Sequence, residues 1–151
     1  MKILATLPII LFGGLLSASA TADIQAGQWE ATSQIVAVKG QGLPAGMVDM
    51  MKSQVHTHSY CMTQAEIDDN PQAMFDQTDG QCQYTDFNMG GGRLDATAVC
   101  NTPQGSMQMK MSGTYTATTF QSENRMVMNS PMGNITMTAQ SSGKRTGACT
   151  G

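Results

Sequence analysis

Met107, Met109 and Met111 alternate along the chain, Met126 and Met128 do the same, and Met137 follows. Residues two apart on a β-strand share a face. This spacing would therefore line one face of neighbouring strands with thioethers. Thioether sulfur is soft and neutral, which suits Cu(I) and not a hard cation. His56 and His58 stand at the same spacing and could add imidazoles, with Trp29 as a cap. The plainer role for the same methionines is packing, because thioether side chains are adaptable core fillers. Aromatic residues are only 5% of the chain, so something else must fill its interior. A third role is a surface that carries a small apolar ligand.

Other chemistry finds less support. Zinc needs three or four ligands, and beyond His56 and His58 no further His exists to complete a set. That pair reads more simply as a solvated strand face. Glu66, Asp68, Asp69, Asp76 and Asp79 cluster. They lack the alternate spacing, glycine and distal glutamate of a calcium loop. Neither a G-x-S-x-G nor an H-E-x-x-H motif occurs. Gly40-Gln41-Gly42 and Gly90-Gly91-Gly92 lack the strand-to-helix setting of a phosphate cradle and read as turns. No catalytic residue and no resident cofactor are expected, with copper as the alternative.

Period-two patterning sets the elements that would position these side chains. Strands are expected over 28–38, 53–62, 82–88, 93–101, 106–120, 125–129 and 135–141. In the second strand, His56, His58, Tyr60 and Met62 share one face. Gly113 reads as a bulge or bend inside the long fifth strand, and 121–124 as a turn. Thr63 with Glu66 forms a capping box, so one short helix starts there; 47–51 could be a helical turn or a loop. The fold class is mainly β, an antiparallel meander of about seven strands with one short helix. Closure into a barrel-like form is left open.

Met1-Lys2, the apolar stretch from Ile3 to Leu16 and the small residues Ala18-Ser19-Ala20-Thr21-Ala22 have the layout of a secretory signal. Residues 1–22 are expected to be removed by cleavage after Ala20 or Ala22, leaving 23–151 as a single domain. Export places Cys61, Cys82, Cys100 and Cys149 in an oxidising compartment, where they should form disulfides. A hairpin tip at Gly90-Gly91-Gly92 lies midway between Cys82 and Cys100 and favours that pair, leaving Cys61 with Cys149. The alternating pairing, Cys61–Cys82 with Cys100–Cys149, is the rival. The 151 residues carry 8 Lys and Arg against 11 Asp and Glu, a net charge of −3. That balance argues against a nucleic-acid partner. No second apolar run is long enough to span a membrane, so the domain is not expected to be membrane-embedded.

The landmarks also come in a known order. Gly27-Gln28-Trp29-Glu30 is followed by Cys61-Met62-Thr63, Cys82, Cys100 and Gly113-Thr114-Tyr115, then by Lys144-Arg145 and Gly147-Ala148-Cys149. This order resembles the exported bacterial family known as domain of unknown function 3617, across essentially the whole mature chain. The resemblance implies a small periplasmic, mostly β domain with paired cysteines and many Met, and it brings no activity. Gly27, Trp29, Gly113, Tyr115 and the four Cys enter as structural positions only. A bacterial source also makes the sequon at Asn134 irrelevant. The expected function is a non-enzymatic periplasmic module that binds an envelope component or a small ligand.

Overall fold

Alternating small or sulfur-bearing residues with polar ones commits most of this chain to strands that bury one side and wet the other. The computed structural model describes residues 23–74, 82–102, 105–130 and 133–150. The expected signal segment, Phe75, Asp76 and Asp79 lie outside them. The elements are β1 (Gly27–Lys39), α1 (Ala45–Ser53), β2 (Val55–Met62), α2 (Gln64–Asp69), a 3₁₀ turn (Pro71–Met74), β3 (Cys82–Gly90), β4 (Arg93–Thr102), β5 (Gly105–Tyr115), β6 (Thr119–Ser130) and β7 (Gly133–Gly147). The seven strands form one antiparallel sheet in the order β2-β1-β7-β6-β5-β4-β3. From β3 to β7 it is a plain meander. The β1–β2 hairpin then joins through β1 against β7, so the first and last strands are neighbours.

The sheet is open, with β2 and β3 as its two edges, which answers the question of closure left by the sequence. Several other expectations need correction. α2 follows one edge strand in sequence and packs Ile67 against the Trp29 cluster, as does Met89 from the other edge. A helix therefore covers the apolar surface that closure would have covered. There are two helices, not one, because 45–53 forms α1. The fifth strand ends at Tyr115, not Phe120. Thr116 Oγ1 accepts from the Thr118 and Thr119 amides at 3.2 and 3.0 Å, which builds a tight turn without Gly or Pro. The expected turn at 121–124 is instead the body of β6. β7 runs on to Gly147, past the expected strand end at 141.

Gly113 is not a bulge: it pairs in register with Leu94 on one side and Ser122 on the other. Its role is close approach, because a Cβ there would collide with the Gln121 carbonyl oxygen. The irregularities in register lie elsewhere, between Ile35 and Ala37, at Gln28/Trp29, and between Tyr84 and Asp86.

The disulfides are Cys61–Cys149 and Cys82–Cys100, the pairing that the hairpin at the Gly tip favours. Cys82 sits directly opposite Cys100 in the β3–β4 ladder. Cys61–Cys149 ties the end of the chain to the edge strand β2.

Candidate functional site

The register divides the sheet into a polar face and an apolar one. On the polar face, Thr32, Gln34, Ser112, Gln121, Glu123 and Gln140 line a groove of about 570 Å³. Hydroxyls and amides dominate it, so it offers hydrogen bonds and little apolar contact. Lys144 and Glu30 pair there at 3.2 Å, both well exposed, which makes a weak link.

The apolar face has two ends of different build. At one end Trp29 has no exposed surface, and its ring lies 6.1 Å from Phe120. Its indole Nε1 donates to the Gln25 carbonyl at 3.1 Å. Ile24, Ala31 and Met62 are buried with it, and Tyr60, Ile67, Met89 and Tyr115 pack around them. Burial pushes the Tyr60 phenol above its ordinary pKa. Gly27 is buried where β1 begins, opposite Met62. α2 is held over this end by its cap. Thr63 Oγ1 accepts from the Glu66 amide at 3.3 Å, and Glu66 Oε2 accepts from the Thr63 amide at 2.8 Å. The Thr63 amide and the Thr63 hydroxyl, which donates to the same Oε2 at 2.8 Å, hold the Glu66 carboxyl below the usual carboxylate range, the backbone bond contributing most.

At the other end the side chains are sulfurs. Cys82, Cys100, Met107 and Met128 form one cross-strand row over β3, β4, β5 and β6. A second row runs through Met109, Met126 and Met137 over β5, β6 and β7. Directly opposed residues on one face stand with Cβ atoms about 5 Å apart. Met107 and Met109 pack against the Cys82–Cys100 cluster. Met107, Met109, Met126, Met128 and Met137 are all half-buried, whereas Met111, one row further in, is only 7% exposed. Met111 and Met62 are full core, whereas Met107 and Met109 pack against core residues and keep part of their surface exposed.

Between the two ends runs a polar strip. Asn124 Nδ2 donates to Ser141 Oγ at 3.1 Å, and Ser141 Oγ donates to Ser33 Oγ at 3.0 Å. Asn124 Oδ1 is buried with no hydrogen-bond partner. Asn124 pairs with Met111 and Ala139 in register, next to the Met109–Met126–Met137 row. The strip escapes a reading of the sequence because 121–124 looks like a turn and Ser33 and Ser141 are far apart in the chain.

The structure brings the predicted methionines together and leaves the other candidates elsewhere. His56 and His58 lie on β2, opposite Ser33 and Ala31. The row of His56 runs through Ser33 and Ser141 to Ser122, three strand spacings across and four residues along from Met126, about 19 Å in all, and His58 stacks on Tyr60 at 5.5 Å. Trp29 is sealed at the far end and cannot cap a methionine site. Glu66, Asp68 and Asp69 belong to α2, with Glu66 engaged in its cap. Among the described residues no three His, Cys, Asp or Glu side chains gather as a metal-binding group. No helix among them is long and apolar enough to cross a membrane.

A family model described as a protein of unknown function (DUF3617) matches residues 24–149. The chain belongs to that family. The matched segment takes in both ends of the apolar face and all four cysteines. No curated protein and no solved structure matches the chain.

Proposed function

We propose that this DUF3617 member is a non-enzymatic binding module of the bacterial periplasm, brought there by a signal segment cleaved after Ala20 or Ala22. Its contact surface is the methionine half of the apolar face. The observation that carries this is the uneven cover of one face: α2 and the segment before β1 seal the Trp29 end, and five methionines are only partly buried at the other. A surface kept apolar and partly open marks a place where something binds. Two disulfides suit an oxidising compartment. The ligand is an envelope component or a small molecule; the acidic balance of the chain speaks against nucleic acid.

An apolar fluorescent probe tests the surface. Anilinonaphthalene sulfonate should brighten on the purified mature protein. The signal should fall in Met109→Gln and Met126→Gln and persist in Thr114→Gln on the polar face. Equal signals in all three variants would overturn the assignment of the face. Mass analysis of the periplasmic fraction should find a chain beginning at Thr21 or Asp23; an unprocessed chain retained in the cytoplasm would overturn the export reading.

A further inference from the structure

We propose that the methionine half of this face is a thioether site for Cu(I), with Met126 at its centre and Met109 and Met137 as its flanking ligands. The inference rests on the reading of that surface as the binding face and names its ligand class. The register is the first support: Met126 is directly opposed to Met109 on one side and to Met137 on the other. Three unbranched side chains on adjacent strands, each with its sulfur at the end of a flexible stem, can turn toward one point above the central strand. Met107 and Met128 form a second opposed pair in the neighbouring row.

Exposure is the second support. Sulfurs sealed in a core are closed to an incoming ion, and these three residues are half-buried. The third is selectivity. Soft neutral sulfur favours a soft d¹⁰ ion and gives little to Mg²⁺, Ca²⁺ or Zn²⁺. Cu(II) prefers nitrogen and oxygen donors in a square plane, and His56 and His58 sit across the sheet from this row. Removing an ion from water costs more as its charge rises, so a site without carboxylates prefers a monovalent ion. Packing alone would be met by Leu, yet apart from the expected signal the chain has only Leu43 and Leu94 beside its many methionines. The structure thus assigns Cu(I) binding with rejection of Cu(II).

The test uses the oxidised mature protein with ¹³C-labelled methionine methyl groups, titrated with Ag(I) as a redox-inert stand-in and then with Cu(I) under anaerobic conditions. The Met109, Met126 and Met137 methyl signals should shift together, while Met47 and Met50 on α1 stay in place. Met126→Leu keeps the apolar volume and removes one sulfur. It should weaken the metal by about tenfold or more and leave anilinonaphthalene sulfonate binding intact. Cu(II) should leave all five signals unshifted. Shifts spread equally over Met47 and Met50, or unchanged affinity in Met126→Leu, would overturn the site. Absence of metal binding with probe binding retained overturns the copper assignment alone. Loss of both in the folded wild-type protein overturns the binding face as well.

Discussion

The Trp29 end and the methionine end of the apolar face belong to one sheet and are stabilised by different means. At the first, aromatic rings, a helix and the segment before β1 enclose a core, and Cys61–Cys149 ties the end of the chain beside it. At the second, neighbouring strands and the Cys82–Cys100 bridge hold the side chains, and the outer rows are only partly buried. A single-layer sheet buries apolar surface only where another element covers it. The contrast teaches that this domain encloses its apolar face at one end and leaves it less covered at the other.

The disulfides give the largest effect by which to break that contrast. Cys61–Cys149 spans 88 residues and Cys82–Cys100 spans 18. In the chain-entropy account, removing the longer bridge should cost about 4–5 kcal/mol and the shorter one about 3 kcal/mol. Denaturant unfolding of the paired Cys→Ser variants measures both; equal losses would show that the two ends are held alike. Core truncation comes next. Trp29→Ala should cost about 4 kcal/mol, and Met109→Ala, only partly buried, less than about 2 kcal/mol. A methionine loss as large as the tryptophan loss would mean that the second end is core after all.

The smallest effect concerns the cover over the Trp29 end. Glu66 titrates lower when folded than when unfolded. As pH falls, the unfolded chain therefore takes up the proton first. The cap contributes fully above the ordinary carboxylate range and is lost as pH drops through the lowered folded value. Thr63→Ala removes the hydroxyl bond and keeps the backbone one, so it should bring the Glu66 carboxyl only part of the way back toward its ordinary titration, followed by its ¹³C shift, with little change at the methionine end. Glu66 titrating at the same low pH in that variant would show that the Thr63 hydroxyl contributes nothing to the shift.

Legibility differed by element for physical reasons. The capping box at Thr63, the Gly-tipped β3–β4 hairpin and the alternation of Met107, Met109 and Met111 are local patterns, and each has its counterpart in the fold. The β5–β6 turn was hidden because Thr116 makes it with its hydroxyl instead of Gly or Pro. Gly113 misled because a glycine needed for close approach looks the same in sequence as one needed for a bend. The Asn124–Ser141–Ser33 strip joins strands distant in the chain, and no local rule points to it.

The amino-acid sequence by itself determined the strand content and the local hairpin that sets Cys82 against Cys100. It also placed methionines two apart on successive strands. These follow from side-chain periodicity and turn chemistry over a few residues. Only the tertiary structure decided that β1 lies against β7, that the sheet stays open, and that α2 covers the Trp29 end and not the methionine end. Those outcomes depend on which apolar surfaces meet after the chain has turned back on itself. That meeting, not the spacing of the methionines, separates the buried Met111 from the half-open row of Met109, Met126 and Met137.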